Sequence, residues 1–432
     1  MLTILGKRLP VFSKFAKPGG FIRNVTTMLA GNATAQAIAF LATPVITRLY
    51  VPDDFGEMTY VSSLIAIFSV FACMRYESAI VLPKEEGKAF NIFILCVLSV
   101  VIISMLLSLI VAFWGENLAY ILNKSWLRPW LWFVPAGVLI QGLFNCLTYM
   151  YTRRKHFTSL SVARISTSVV AIMTKILAGL LLGSTAFWLI GGNIGSPLAA
   201  VMVLGWAFWA KNHSALESHV TGKEIINVAR EYSKFPKYAM PTGLLNSLSQ
   251  NLPVLLFAHF FPQNIVGYFG LASAVLRRPI SLAGESFGKV YLQKAAELQS
   301  QDRNLRDSMI KTTLGLIGIG IVPFGLLTIG GRWIFSFVFG EDWATAGLYA
   351  QILAPWLFFL FINPPATQVI IVKQALRFNL LYNMVTVLMR IGSIVLSYYL
   401  LPQPWAVIGA FSASGVLVNL FYISYAFSLT KE

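Results

Sequence analysis

Long apolar stretches dominate this sequence and constrain its fold more than any other feature. A helix needs about 20 apolar residues to cross the hydrocarbon core of a bilayer, which is about 30 Å thick. Twelve stretches reach that length, and none shows the strict alternation of barrel strands. The sequence therefore predicts an all-α polytopic membrane protein. The twelve predicted transmembrane helices occupy residues 25–48, 57–75, 90–113, 130–151, 162–183, 186–209, 238–261, 265–288, 312–330, 347–372, 380–400 and 404–427.

Charged residues are few and unevenly placed. They make up 12% of the chain, against about 25% in ordinary soluble domains, and the formal net charge is +16. If the N-terminus is cytoplasmic, 25 of the 33 lysines and arginines fall in cytoplasmic segments and four in external ones. Because cytoplasmic loops of membrane proteins carry such an excess, we expect both termini to be cytoplasmic. The same pattern excludes a soluble enzyme and a nucleic-acid-binding protein.

The two halves of the chain share short motifs in the same order. The proline-to-glycine segment 52–56 is matched by 262–267, and the basic loop 153–157 by 373–378. Six helices per repeat is an even number, so the repeats are expected to be parallel. We therefore expect two six-helix bundles around a central cavity. The predicted divisions are an N-terminal bundle (1–209), a cytoplasmic connecting segment (210–237) and a C-terminal bundle (238–432).

Two of the predicted spans carry a matching pair of amide side chains. Asn32 and Gln36 in the first span have the same spacing as Asn246 and Gln250 in the seventh. Residues four apart lie on one helix face. Polar, proline-interrupted helices in corresponding positions of two repeats indicate a transporter's binding site. These four amides are therefore candidate substrate-binding residues, with ordinary hydrogen bonding between helices as the alternative.

Several charges fall inside predicted spans, where an ionisable group normally faces a cavity or a partner. Four are basic and Glu285 is acidic, so the predicted cavity is net positive. Arginine binds phosphate through two parallel hydrogen bonds and keeps its proton when buried, which favours an anionic substrate such as a diphosphate. Snorkelling to the interface or a buried ion pair is the alternative. The four basic residues are Lys175, Arg277, Arg278 and Arg390.

The sequence offers little for catalysis or metal binding. Its three cysteines have no CxxC spacing and its four histidines lie far apart, so we expect neither a metal site nor a cofactor. It has no GxxxxGK[ST] loop and no large external loop that would hold an active site. We therefore expect a protein that is not an enzyme. Residues 222–237, between the halves, are expected to form an amphipathic helix on the inner leaflet.

Three segments resemble a known family. They are Thr43–Gly56 (TPVITRLYVPDDFG), Arg75–Pro83 (RYESAIVLP) and Gly267–Ala272 (GYFGLA). The chain resembles the Wzx-type oligosaccharide flippases of the multidrug/oligosaccharidyl-lipid/polysaccharide exporter superfamily. This resemblance implies functional roles for Arg277 and for the Arg75–Glu77 pair. Glu77 and Glu285 are the candidates for coupling transport to a proton or cation gradient.

The resemblance and the basic interior together predict a transporter. We expect it to move an undecaprenyl-diphosphate-linked oligosaccharide, an O-antigen or polysaccharide repeat unit, across the bacterial inner membrane by alternating access. The expected partners are membrane lipids, the lipid-linked oligosaccharide, a polysaccharide polymerase and a chain-length regulator, but no nucleic acid. A multidrug exporter of the same fold is the first alternative, although organic cations would favour buried carboxylates. A membrane enzyme of envelope polysaccharide assembly is the second.

Overall fold

A computed structural model describes residues 21–121, 124–301 and 304–430, and over these ranges the chain is helical without strands. Twelve long helices coincide with the twelve predicted spans, and two shorter helices accompany them. The helices are α1 (Phe21–Leu49), α2 (Pro52–Ala72), α3 (Glu86–Ile121), α4 (Phe133–Arg153), α5 (Phe157–Leu181), α6 (Ala186–His219), α7 (Gly222–Glu231), α8 (Met240–Phe260), α9 (Gln263–Ser300), α10 (Leu305–Phe339), α11 (Ala344–Ile362), α12 (Pro364–Val372), α13 (Leu376–Leu400) and α14 (Pro404–Ser428).

Nine segments of the described residues are long and apolar enough to cross a membrane. Large apolar side chains such as Leu41, Trp206 and Ile329 are more than two thirds exposed, which is typical of helices surrounded by lipid. The predicted spans 25–48, 238–261 and 265–288 are helical but are not among these nine. Their polar and charged residues, including the candidate amides and arginines, lower their hydropathy. The chain is a multi-pass helical membrane protein.

Several helix limits differ from those predicted, because an apolar stretch marks the membrane and not the end of a helix. The helices α3, α9 and α10 continue for 35 residues or more, well beyond their apolar centres. The predicted span 347–372 is two helices separated at Asn363, because Pro364 and Pro365 follow it and have no N–H to donate. The predicted amphipathic helix 222–237 ends at Glu231.

The helices form two compact units. Unit 1 comprises the described residues up to Ala42 together with Phe68–Ala178 and Ile190–Pro241. Unit 2 comprises Thr43–Ile67, Gly179–Leu189 and the described residues from Thr242 onward. Within unit 1 the three cysteines are buried, and the Sγ atoms of Cys73 and Cys146 lie 3.4 Å apart. The division into 1–209, 210–237 and 238–432 remains a prediction.

Glycines bring α2 and α9 into backbone contact within unit 2. A Cβ atom added to Gly56 would overlap the backbone carbonyl of Gln263, and one added to Gly267 would overlap that of Pro52. Small residues permit such close approach of helices in membrane proteins. Both glycines belong to the proline-to-glycine segments that the sequence comparison of the two halves had singled out. The motif therefore has a packing role at this contact.

We expect Gly56→Ala to lower the free energy of unfolding by about 1–3 kcal/mol, because the added methyl group overpacks a backbone contact. Thermal unfolding of the purified protein in detergent measures this change. Gly191→Ala is the matched control, since a Cβ there meets nothing within 4 Å. The control is expected to be neutral or slightly stabilising, as alanine favours a helix more than glycine does. Equal melting temperatures for the two variants would contradict the packing role.

Candidate functional site

Two of the predicted arginines meet at one tryptophan in unit 2. The Arg277 guanidinium, on α9, lies 5.1 Å from the ring centroid of Trp356 on α11, and that of Arg390, on α13, lies 5.3 Å from it. Both are cation–π contacts. Phe411 of α14 packs edge-on against the same indole, with ring centroids 5.0 Å apart. We call these residues, together with Ser249, the Trp356 cluster.

The packing of α14 fixes the position of the indole. Trp356 is fully buried, and a Cβ atom added to Gly415 would overlap its ring. Only a glycine therefore lets α14 pass so close to the indole. Ser249 of α8 orients the second arginine, because Nη1 of Arg390 donates hydrogen bonds to its backbone oxygen at 2.5 Å and to its Oγ at 2.8 Å.

Several buried hydrogen-bond donors of the cluster have no acceptor in the part of the chain that the structure describes. Among the described side chains, no partner is found for Nε of Arg277, Nε of Arg390 or Nε1 of Trp356. Neither guanidinium forms an ion pair with a described carboxylate. Since buried polar groups in proteins are normally hydrogen-bonded, unsatisfied donors beside two cations mark a place where an anion would be stabilised.

The other two basic candidates lie elsewhere. Arg278 is next to Arg277 in sequence, but its Nη1 donates to Oγ1 of Thr43 at 3.4 Å. Lys175 belongs to unit 1, where its Nζ donates to Oδ1 of Asn193 at 2.6 Å. The structure therefore unites Arg277 with Arg390 and gives Arg278 and Lys175 separate polar partners.

The amide pairs lie as their spacing predicts, each pair on one helix. Within α8, Nε2 of Gln250 donates to Oδ1 of Asn246 at 3.3 Å, and both side chains are exposed. Within α1, Oδ1 of Asn32 and Oε1 of Gln36 are buried and have no described hydrogen-bond partner. Each oxygen can accept a hydrogen bond, so a hydroxyl donor placed beside it would be stabilised. A role in substrate binding remains a prediction for all four residues.

The Arg75–Glu77 pair lies in the turn between α2 and α3. The two side chains form an ion pair at 3.7 Å, with Arg75 in a left-handed backbone conformation at φ +64°. Glu77 is buried, and its Oε2 has no described hydrogen-bond partner. Burial raises the pKa of Glu77 above its ordinary value of 4.5, against the opposing effects of its backbone hydrogen bond and of Arg75. The side chain of Glu285, the other coupling candidate, lies outside the described residues.

Sequence reasoning missed the neutral members of the Trp356 cluster. Trp356 lies in the middle of a predicted span and next to Pro355, which distinguishes it from the tryptophans near the external ends of spans. That position could have identified Trp356 from the sequence. Nothing in the sequence distinguishes Ser249 or Phe411, because serine and phenylalanine are common in such helices. Asn193, the partner of Lys175, was also missed, although α5 and α6 are consecutive helices and therefore natural neighbours.

Comparison with known proteins places the chain in a family. A family model described as "Polysaccharide biosynthesis protein" matches residues 45–348, well over half of the chain. The chain belongs to this family, and the relationship predicted from the sequence motifs is thereby confirmed at the family level. It is 21% identical over 416 residues to the capsular polysaccharide biosynthesis protein CapF of Staphylococcus aureus, covering 94% of this chain and 98% of CapF.

Solved structures of transporters share the fold. The lipid II flippase MurJ in an inward closed conformation matches with a TM-score of 0.71 at 13% identity, covering 94% of this chain and 87% of MurJ. An inward-facing multidrug resistance MATE family transporter of the MOP superfamily matches with a TM-score of 0.62 at 11% identity, covering 94% and 95%. At these identities the similarity establishes a shared helical architecture. It leaves the substrate to be argued from the site.

The raised pKa of Glu77 leads to a pH-dependent stability. The native state binds this proton more tightly than the unfolded chain, so the stabilising contribution is complete at low pH. It is lost as the pH rises from about the unfolded value through the native pKa. We therefore expect Glu77→Gln to gain melting temperature relative to the parent protein between pH 4 and pH 8. Glu85→Gln, at an exposed carboxylate in the same turn, is the control, and its free energy of unfolding should stay within about 0.5 kcal/mol of the parent value.

Proposed function

We propose that this protein is a flippase for an undecaprenyl-diphosphate-linked oligosaccharide. It moves this repeat unit of a surface polysaccharide from the inner to the outer leaflet of the bacterial plasma membrane by alternating access. Both termini are cytoplasmic in this proposal. Membership of a polysaccharide biosynthesis family and the fold shared with a lipid II flippase support a lipid-linked glycan as the substrate class.

The observation that carries the proposal is the pair of arginines at Trp356. Two guanidinium groups lie over one buried indole, so they are no more than about 10 Å apart. They have no described carboxylate partner and retain unsatisfied donors. A diphosphate offers several anionic oxygens and suits bidentate arginine contacts. We assign Arg277 and Arg390 to the diphosphate, and the α8 amides Asn246 and Gln250, in the same unit, to the sugar hydroxyls.

The charge of this site disfavours the drug-exporter alternative. A site for organic cations would favour buried carboxylates, whereas the Trp356 cluster contains two cations and no described acidic group. The enzyme alternative requires a nucleophile or an acid–base pair. Ser249 has a hydroxyl, but Arg277 and Arg390 cannot act as its general base because arginine keeps its proton in proteins. A transport function requires only that the diphosphate be held and released.

We expect Arg277→Gln and Arg390→Gln to weaken binding of polyprenyl diphosphate about ten- to a hundredfold each, the effect of losing a hydrogen bond to a charged group. Binding to the purified protein gives the affinity, and complementation of a deletion strain gives the amount of surface polysaccharide. Arg277→Lys keeps the charge and should restore part of the activity. Arg332→Gln, at an exposed arginine of α10, is the matched control and should behave as the parent.

Two further readouts keep this test decisive. Equal melting temperatures for the variants and the parent show that lost activity is not lost folding. Chemical analysis of the lipid-linked oligosaccharide that accumulates in the variants separates relocation from catalysis, since a flippase leaves its substrate chemically unchanged. Normal surface polysaccharide in both glutamine variants, at normal protein levels, would refute the proposed role of the arginine pair.

We also propose a polysaccharide polymerase and a chain-length regulator as partners.

A further inference from the structure

A groove in unit 1 lies between α5 and α6. Its lining residues fall within 151–212 and are distant in sequence from Arg277 and Arg390. It has a volume of about 510 Å³, within the range of small-ligand sites. Residues from the first turns of α5 form one wall, and residues from the second half of α6 form the other. The predicted topology puts this end of both helices at the cytoplasmic face of the membrane, where the head groups of the inner leaflet lie.

The body of the groove is apolar and fits a hydrocarbon chain. The groove has room between the helices because three of its lining residues are alanines, whose side chain is a single methyl group. They are Ala163, Ala200 and Ala207. Val162 and Val203 form its outer walls and are 61% and 67% exposed. Both belong to candidate membrane spans, so their exposed faces are directed towards lipid. The groove is therefore accessible to an acyl chain from the bilayer.

The mouth of the groove is polar and positively charged. Lys211 lines it, is exposed, and has no ion-pair partner among the described carboxylates. Arg154 also lines it, but its charge is shared with Glu86, whose Oε1 lies 2.7 Å from the guanidinium. Helix α5 begins at this mouth, so its first backbone N–H groups and the hydroxyl of Ser159 add hydrogen-bond donors suited to a phosphate.

We propose that this groove binds an anionic phospholipid of the inner leaflet. One acyl chain lies between α5 and α6, and the phosphodiester contacts Lys211 and the start of α5. The charge balance selects this lipid over the diphosphate substrate. Lys211 supplies one positive charge that no described carboxylate shares. One charge matches a phosphodiester, whereas a diphosphate carries at least two. The inference concerns a site separate from the one proposed for transport.

The test compares lipids on the purified full-length protein in detergent micelles. We expect phosphatidylglycerol to bind more tightly than phosphatidylcholine. The variant Lys211→Gln should weaken phosphatidylglycerol binding about fivefold, which is what one basic residue contributes near an anionic surface, and leave phosphatidylcholine unchanged. Lys223→Gln, at an exposed lysine of α7 outside the groove, is the matched control and should bind as the parent. Ala200→Phe fills the groove and should weaken binding of both lipids.

Other ligands separate the possible sources of the phosphate. Inorganic phosphate at the same concentration should not displace phosphatidylglycerol, because it lacks the acyl chain. Equal affinity for the two phospholipids, or an unchanged preference in Lys211→Gln, would overturn the proposal. So would displacement of phosphatidylglycerol by polyprenyl diphosphate that Lys211→Gln abolishes, since the groove would then be a substrate site. The variants retain the Trp356 cluster, so failure here leaves the proposed flippase function standing.

Discussion

The structure of unit 2 depends on how two guanidinium groups are held within helices that lie in a membrane. A charged side chain at the centre of a bilayer costs about 3 kcal/mol or more unless it finds partners. Trp356 provides a cation–π contact to Arg277 and to Arg390, each worth up to about 2 kcal/mol when desolvated. Ser249 adds two hydrogen bonds to Arg390. These contacts offset part of the cost, and among the described residues no carboxylate pairs with either guanidinium.

Close approach of helices makes this arrangement possible. In lipid, helices associate through van der Waals packing and hydrogen bonds, and small residues increase both. Gly415 lets α14 lie directly against Trp356, while Gly56 and Gly267 let α2 and α9 touch along their backbones. Since Arg277 also lies on α9, this packing contact and a proposed binding residue belong to the same helix. The motif that supports the family relationship therefore stabilises the helix on which the proposed binding residue lies.

The helical fold and part of the candidate site could be predicted from the sequence. Apolar stretches located the twelve long helices, although three of these helices are less apolar than the other nine. The cost of burying a charge singled out Arg277 and Arg390 together with Lys175 and Arg278. The partner of each charge could not be predicted, since it depends on helix rotation. Arg277 and Arg278 differ by one position, or about 100° around the helix, and one contacts Trp356 while the other contacts Thr43. Trp356 itself was missed because a tryptophan within a span has no charge to reveal it.

A neutral aromatic partner has a consequence for transport that an acidic partner would not have. If a carboxylate neutralised the arginines, an incoming diphosphate would have to displace it and leave a buried acid without a partner, at considerable cost. Trp356 holds the guanidinium groups in place, and the Nε donor of each has no acceptor among the described residues. A ligand changes a conformational equilibrium only as far as it binds one state better than the other. On the proposed function, arginines preorganised by an uncharged ring bind the diphosphate without first breaking an ion pair, and release it without needing a competing anion.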